Sequence, residues 1–390
     1  MRQLILILFL ASTLHAVKCP EATLAATGVR TTREELLKVE VANEGMDTSV
    51  PADVQNRISV FKDRLVDLAD AVLACTGTTQ RTASIEKVLA VYLGPREPSR
   101  TSKPPEGTDE SVTHIFGIDT TAVVSAPRTE FVFVELSFGI NCGSDSVLLL
   151  YQATNHRWKR VLRWQSPKYD KASGAFGDFF HYSLIKDAKT NELAVVTAHG
   201  YPWCTSRWSG FNIDALYPAI PSRPQRQIFH EEFGYVREEK PRWKSLPSGF
   251  EMRTDNAFFD LAVMTKKVVF RFLLEGGTLS RVQPIAMDGM GFVDEWLQSP
   301  WDQAQQWAEP IHRQTLRSWH EKTRQQIKAA QGDFNYGPLR SCGDSFYEAE
   351  LNTDKGWRSF IKLQQLRNGF LVVSVSTAQT CSGKSVLAKQ

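Results

Sequence analysis

The stretch PADVQNRISVFKDRLVDLADAVLAC, residues 51–75, repeats apolar residues every three or four positions. This period places them on one side of a helix and leaves most charged residues off that side. We therefore expect residues 31–75 to be largely helical, and the shorter apolar run IEKVLAVYL, residues 85–93, to form a strand. The apolar stripe of the helix consists of Ile58, Phe61, Leu65, Leu68 and Val72.

From residue 111 to residue 290 the pattern changes to short runs rich in β-branched and aromatic residues, such as EFVFVELSF. Polar turns at 154–156, at 187–191 and at Gly276-Gly277 each separate two strand-like arms. Successive hairpins of this kind predict an antiparallel β-meander, which is compatible with a sandwich or with a partial propeller. No repeat of fixed period is present in the sequence, so a complete propeller is not supported.

Residues 291–390 combine both patterns. A helical period covers 291–331, and three strand-like runs follow it: DSFYEAELN, WRSFIKLQQL and FLVVSVSTA. Asn368-Gly369 joins the last two runs as a hairpin. The fold class that follows is α+β and mainly β, with a central antiparallel meander, sandwich or partial propeller-like, flanked by an N-terminal helical segment and a C-terminal unit of helix plus three strands.

The chain begins MRQLILILFLASTLHA, in which one arginine precedes an uncharged apolar run and a small residue, Ala16, follows it. This is the pattern of a secretory signal peptide, and the run is too short to span a bilayer. The alternatives are an uncleaved anchor and a buried first helix. We favour cleavage. We therefore expect an extracytoplasmic protein, periplasmic or secreted, with no membrane span after signal cleavage.

Five segments follow from these patterns. Residues 1–16 are the predicted signal peptide, and 17–93 form a mainly helical N-terminal segment. The run GPREPSRTSKPPEGTDE, residues 94–110, is rich in proline and charge and predicts a linker or loop. Residues 111–290 form the predicted antiparallel β domain, and 291–390 form a small α+β C-terminal domain.

All six cysteines remain after the predicted cleavage. An even number in an exported chain favours disulfides, although the sequence alone does not fix their connectivity. Pairing of neighbours along the chain is the simplest arrangement. Because each such bridge closes a long loop, chain entropy assigns it roughly 3–4 kcal/mol of stabilisation. The expected pairs are Cys19–Cys75, Cys142–Cys204 and Cys342–Cys381.

The balance of charged residues in the chain limits the classes of partner that we expect. The 390 residues include 46 basic and 43 acidic residues, for a net charge of +3. This balance, without a basic run, argues against nucleic acid as a partner. The sequence contains no N-x-S/T glycosylation acceptor, which suits a bacterial exported protein.

The stretch HGYPWCTSRWSGF, residues 199–211, brings several reactive side chains together. Cys204 near His199 would suit a cysteine nucleophile beside its base. The competing interpretation, which we favour, is a disulfide between Cys142 and Cys204, in loops that leave the same sheet.

A disulfide in this loop would present Trp203, Arg207 and Trp208 at one end of the sheet as a candidate ligand-binding surface. Two indole rings and a guanidinium suit a sugar face, or an anionic or aromatic ligand. The alternative is that both rings cap the core beneath the loop. The possible partners are therefore carbohydrate, a small molecule or a protein.

The sequence contains no intact catalytic or metal-binding motif. HEEFG, residues 230–234, lacks the second histidine of HExxH, and no GxSxG is present. We therefore predict no catalytic residue, no metal and no cofactor. Acidic residues of the β region that spacing cannot pair are Asp170, Asp178, Glu192 and Asp214.

These observations favour a non-enzymatic periplasmic or secreted binding or interaction protein. The alternative is an extracytoplasmic hydrolase, including a carbohydrate-active one, whose site assembles only in three dimensions. Its acids would then meet His181 or His199. A third hypothesis is a structural envelope protein, in which Trp203 and Trp208 would both be buried.

Overall fold

The computed structural model describes residues 19–42, 50–94, 112–114, 116–140, 143–166, 179–202, 207–236, 240–257, 265–330, 334–353 and 356–386. The predicted signal peptide, nearly all of the predicted linker, Cys142 and Cys204 lie outside these ranges. The chain divides into two compact units. The first comprises the described parts of Met1–Val41, Pro51–Phe138 and Val147–Gln165, and the second those of Ala42–Val50, Gly139–Ser146 and Ser166–Gln390.

Three helices belong to the first unit: α1 (Pro20–Leu36), α2 (Ala52–Cys75) and α3 (Thr82–Leu93). The disulfide Cys19–Cys75 joins the start of α1 to the end of α2. The apolar stripe predicted for α2 is buried, as its period requires. The single predicted helical stretch 31–75 is instead the end of α1, an interruption that contains β1 (Glu40–Ala42), and α2.

The strand predicted at 85–93 is wrong, because these residues belong to α3. Ile85, Leu89 and Leu93 recur at intervals of four and are all buried, which is the period of one helix face. A short apolar run is compatible with a strand or a helix when it is read alone. Here the spacing of the buried residues decides in favour of the helix.

Strands of the N-terminal part form two sheets. Strand β1 pairs with β2 (Val112–His114), and a four-stranded antiparallel meander contains β3 (Phe116–Arg128), β4 (Phe131–Ile140), β5 (Gly143–Thr154) and β6 (Arg157–Gln165). Polar contacts join α2 to this meander. Asp70 accepts a hydrogen bond from the Tyr151 hydroxyl at 2.7 Å and pairs with Arg160 at 2.8 Å.

The second unit contains an eight-stranded antiparallel sheet. Seven strands follow the order β14-β13-β12-β10-β9-β8-β7, and β11 pairs with β12 beside them. Among the described strands this sheet forms no closed barrel, although Trp243 of β11 donates to the hydroxyl of Ser183 on β7 at 3.0 Å. The strands are β7 (Phe180–Lys186), β8 (Leu193–Pro202), β9 (Trp208–Tyr217), β10 (Arg226–Val236), β11 (Arg242–Leu246), β12 (Gly249–Ala257), β13 (Thr265–Glu275) and β14 (Thr278–Arg281).

One face of this sheet forms an aromatic core. Rings from five strands contact one another edge to face or stacked, with centroid separations between 4.5 and 5.9 Å for the closest pairs. Burial of large rings provides most of the stabilisation in such a core. The rings in these contacts belong to Phe179, Phe211, Phe233, Tyr235, Trp243, Phe250 and Phe270.

The C-terminal part of this unit packs helices on a four-stranded antiparallel sheet. The sheet has one strand more than we predicted, because the weak strand pattern of FNYGPLRSCG was missed. The disulfide Cys342–Cys381 joins that strand to the C-terminal tail. The elements are α4 (Gly289–Gln298), α5 (Trp301–Ala304), α6 (Arg313–Ala330), β15 (Phe334–Gly343), β16 (Phe346–Thr353), β17 (Arg358–Leu366) and β18 (Gly369–Ser376).

Buried charges anchor α4 to the large sheet. The Lys266 ammonium of β13 pairs with Asp294 and, at 2.7 Å, with Glu295, and Arg281 of β14 contacts Glu295 at 2.6 Å. All four side chains are buried. Tyr336 of β15 donates its hydroxyl proton to Asp294, so three elements and the helix meet at this ion cluster.

The predicted fold class is confirmed: the protein is α+β and mainly β, with a central antiparallel meander between helical and α+β parts. The prediction that it is disulfide-bonded is also confirmed, and every cysteine among the described residues is in a disulfide. The described helices include none with the length and apolar character needed to cross a membrane.

Candidate functional site

Three neighbouring strands, β8, β9 and β10, carry polar side chains on the face opposite the aromatic core. Strand register sets the neighbours: Asp214 lies between Thr197 and His230, and Asn212 lies between His199 and Glu232. Residues that face each other across strands project to the same side of a sheet. We call this set the polar face: Thr197, His199, Tyr201, Asn212, Asp214, His230 and Glu232.

A hydrogen-bonded carboxylate and imidazole lie at the centre of the polar face. Asp214 Oδ1 is 2.6 Å from His230 Nδ1, and its other oxygen accepts from the Asn212 amide at 2.5 Å. On the far side of the ring, His230 Nε2 lies 3.6 Å from Glu232 Oε1. The imidazole is therefore held between two carboxylates, an arrangement that fixes its orientation.

Exposure increases across the polar face from β8 to β10. Thr197 and Asn212 are 0% and 1% exposed, whereas the side chains of His230 and Glu232 are 41% and 55% exposed. Thr197 Oγ1 and Asn212 Oδ1 have no hydrogen-bond partner among the described residues. Buried polar atoms are nearly always hydrogen-bonded in native proteins, so two such atoms beside Asp214 indicate a place where an internal water contributes the missing partner.

An aromatic surface borders the polar face at one end. The Tyr201 ring lies across Gly210, where a Cβ atom would come within 2.2 Å of Tyr201 Cε2, so a larger residue there would displace the ring. Trp208 follows the same side of β9 as Asn212, is 36% exposed, and has the Arg207 guanidinium 5.6 Å from its ring centroid. Burial, together with the Glu232 charge, raises the pKa of Tyr201 to about 12, so its hydroxyl stays protonated and able to donate.

His199 lies in the most buried part of the polar face. Its Nε2 is 3.2 Å from the hydroxyl of Ser166, and both residues are buried. Ser166 is further fixed by Ser146, whose backbone N–H donates to the Ser166 hydroxyl at 3.2 Å. These contacts are typical of a histidine with a structural role. Cys204, the cysteine for which His199 would act as the base, lies outside the described residues.

The other residues predicted as site candidates are separated by the fold. His181 lies on the core face, stacked between Phe179 and Trp243, and burial lowers its pKa. Glu192 pairs with Arg223 at a distant turn, and Asp170 and Asp178 lie outside the described residues.

Of the predicted ligand-binding residues, Arg207 and Trp208 are exposed next to the polar face, and Trp203 lies outside the described residues. A structural envelope protein requires Trp208 to be buried, so the exposure of this ring does not favour that hypothesis.

Sequence reasoning missed most of the polar face. Tyr201, Asn212, His230 and Glu232 carry no motif, and they come together only through strand register. In IFHEEFGYV, Phe229 and Phe233 flank three consecutive polar residues, His230, Glu231 and Glu232, so the alternation of a strand with one polar side is interrupted at Glu231. The HExxH comparison drew attention to the same residues for a different reason.

Groups suited to metal binding are rare in the part of the chain that the structure describes. One cluster, Cys19, Glu21 and Cys75, brings three donor residues together, but its cysteines form a disulfide and offer no thiolate. The polar face does not form a metal cluster, because its two carboxylates lie on opposite sides of the His230 ring.

Comparisons of the chain with protein-family models, curated proteins and solved structures found no match. A function can therefore be inferred only from the residues themselves and from their geometry.

Proposed function

We propose that this is an extracytoplasmic, non-enzymatic binding protein whose polar face holds a polyhydroxylated ligand, of which carbohydrates are the principal class. One observation carries the proposal. The exposed His230 imidazole and Glu232 carboxylate lie beside Asp214, on the side of the sheet that also carries the exposed Trp208 ring. A ligand with several hydroxyl groups offers both donors and acceptors to such a surface.

The chemistry of the polar face suits hydroxyl groups. Asp214 and Glu232 accept hydrogen bonds, while the Tyr201 hydroxyl donates, and its raised pKa keeps that proton in place. Trp208 adds a flat apolar ring at the edge, where the weakly polar face of a sugar ring can stack. Convergent polar groups next to an aromatic surface are typical of small-ligand sites.

Two further observations support the extracytoplasmic location. The disulfides Cys19–Cys75 and Cys342–Cys381 are stable in oxidising compartments and rare in the cytosol. The first residues also follow the signal-peptide pattern.

Titration of the purified protein with oligosaccharides tests the proposal. The probes are cellohexaose, chitohexaose and maltohexaose, and the readouts are calorimetry and intrinsic tryptophan fluorescence. We expect at least one probe to bind and the variant Trp208→Ala to weaken it about tenfold, since an aromatic contact contributes roughly 1–1.5 kcal/mol. We expect Glu232→Gln to weaken it by a similar factor.

The control variant is Glu321→Gln, which changes an exposed carboxylate on α6 and leaves the polar face intact. Its affinity should equal that of the unchanged protein. The proposal fails if no oligosaccharide binds at millimolar concentration, or if Trp208→Ala and Glu232→Gln bind as tightly as the control.

A second candidate is an extracytoplasmic hydrolase acting on carbohydrate. The specific observation in its favour is the His230 ring held between Asp214 and Glu232, residues from two strands that could share acid and base roles. Release of reducing ends from the same oligosaccharides, lost in His230→Gln, would favour this candidate. Binding without any release of reducing ends would favour the non-enzymatic role.

A further inference from the structure

A cavity of about 450 Å³ lies in the C-terminal part of the second unit, on elements that the polar face does not include. This volume falls within the range of small-molecule sites, roughly 300–1,000 Å³. Most of its lining is apolar, with one carboxylate and one hydroxyl. The lining residues are Asp288, Met290, Gly337, Pro338, Leu339, Ser385 and Val386.

A bulge in β15 shapes one wall of the cavity. Tyr336 pairs with Leu351 and Leu339 with Ala349, so two residues, Gly337 and Pro338, lie opposite Glu350 alone and the strand contains one extra residue. Bulges redirect the side chains of a strand and occur often beside functional sites. Here the bulge turns Pro338 and Leu339 to the cavity.

The C-terminal tail pairs with β15, forms the adjoining wall and is fixed in place. The buried Glu348 carboxylate accepts hydrogen bonds from Thr380 N at 2.9 Å and Cys381 N at 3.1 Å. The disulfide Cys342–Cys381 anchors the same turn, and Val386 N donates to Leu339 O at 2.8 Å. A wall held by these contacts exists before any ligand arrives, which lowers the entropic cost of binding.

Charge distinguishes the possible ligands of this cavity. Among its described lining residues Asp288 alone is charged, and it caps α4 by accepting from Gly291 N at 2.7 Å. The nearest buried ammonium, Lys266, is already engaged by Asp294 and Glu295. A carboxylate at the edge of an apolar cavity binds a cation or strong donor far better than an anion.

We infer that this cavity is a second binding site, for a small and mainly apolar molecule that carries a primary amine. The apolar body lies against Met290, Leu339 and Val386, and the ammonium pairs with Asp288. This inference is independent of the function proposed for the polar face.

Isothermal titration calorimetry on the full chain with 4-phenylbutylamine tests the inference. The probe 4-phenylbutan-1-ol has the same body without the charge, and 4-phenylbutanoate reverses it. We expect the amine to bind about tenfold or more tightly than the alcohol, as a charge-assisted hydrogen bond allows. The carboxylate probe should not bind measurably.

Two variants locate the site. Asp288→Asn keeps a good helix cap, so α4 stays intact while the charge is removed, and the amine should fall to the affinity of the alcohol. Val386→Trp fills the cavity from the tail and should abolish binding of both probes. Asp302→Asn, an exposed acid on α5, is the matched control and should leave both affinities unchanged.

Three outcomes would overturn the inference: no binding of the amine at millimolar concentration, an amine preference that survives Asp288→Asn, or undiminished binding in Val386→Trp. Retained binding of the alcohol by Asp288→Asn shows that this variant is folded. None of these results depends on whether oligosaccharides bind the polar face.

Discussion

Two clusters of polar groups in the second unit differ in burial and in charge balance. In the ion cluster at α4, the buried Lys266 and Arg281 face the buried Asp294 and Glu295, so two positive charges meet two negative ones. On the polar face, Asp214 is held by an exposed imidazole, and the nearby Glu232 carboxylate is exposed as well.

The difference separates a structural cluster from a candidate site. Burial tends to raise the pKa of Glu295, but the charges of Lys266 and Arg281 outweigh it and hold that pKa below its usual value. The charges of such a cluster balance without any other molecule. The polar face instead leaves the His230 imidazole and the Glu232 carboxylate exposed, where a ligand can contact them.

The largest effect is expected from breaking the ion cluster. Lys266→Met leaves Asp294 and Glu295 without their shared ammonium and should cost about 3–5 kcal/mol of unfolding free energy, because a buried charge without its partner is strongly destabilising. Equilibrium urea unfolding measures the loss. Arg317→Ala, which breaks an exposed pair with Glu321, should cost less than about 1 kcal/mol. Equal losses in the two variants would contradict a structural role for the cluster.

A second structural cluster surrounds Asp187, which accepts from the backbone N–H groups of Lys189, Thr190, Gly276 and Gly277. Asp187→Asn places an amide nitrogen at one carboxylate oxygen and should cost about 2–4 kcal/mol, since Gly277 N and the Tyr217 hydroxyl then lose their acceptor. Urea unfolding at neutral pH measures this loss.

The Asp187 carboxylate should also make the stability of the folded protein depend on pH. Burial raises its pKa, but the four backbone donors outweigh burial and bring the pKa well below the usual value. Its stabilisation is therefore complete above the unfolded-state pKa of about 4 and is lost as the pH falls below it. The unchanged protein should lose stability between about pH 4 and pH 2 more steeply than Asp187→Asn. Parallel pH profiles for the two proteins would argue against this origin.

An intermediate effect is expected where the polar face meets the aromatic surface. Gly210→Ala introduces a methyl group where the Tyr201 ring lies and should cost about 1–3 kcal/mol through displacement of that ring. Thermal unfolding followed by circular dichroism measures the loss. The variant should also weaken any oligosaccharide that binds the polar face. Gly234→Ala on the neighbouring strand, where only one atom lies within 4 Å of the new methyl group, is the control.

The smallest effect on stability is expected at the centre of the polar face. His230→Gln removes an exposed side chain and should change the unfolding free energy by less than about 1 kcal/mol. Urea unfolding measures the change. A loss above about 2 kcal/mol would instead indicate that Asp214 and His230 have a structural role, like the residues of the ion cluster.

Local patterns in the sequence predicted much of the architecture. The turns at 154–156, 187–191 and Gly276-Gly277 all join paired strands, as expected from residues that favour tight turns. Two of the expected cysteine pairs are present, because neighbours along the chain lie within one structural segment. The sequence pattern gave a wrong prediction at α3, because a short apolar run suits either a strand or a helix. It also missed β15, because glycine and proline weaken the strand pattern there.

Local patterns in the sequence did not predict the candidate sites. Asp214 and His230 are sixteen residues apart and meet only because β9 and β10 pair in one register. A shift of one residue would turn either side chain to the opposite face. The cavity beside Asp288 likewise depends on a tail that reaches β15 through the Cys342–Cys381 bridge and the Glu348 carboxylate.

The sequence by itself determined the classes of element, most of the hairpins and the disulfide-bonded character of this protein. These properties depend on period, turn chemistry and cysteine count, which are local or additive. Only the tertiary structure decided which polar groups are buried in ion pairs and which are exposed together on one face. Pairing depends on strand register and burial, and these are set by the packing of segments that lie far apart along the chain.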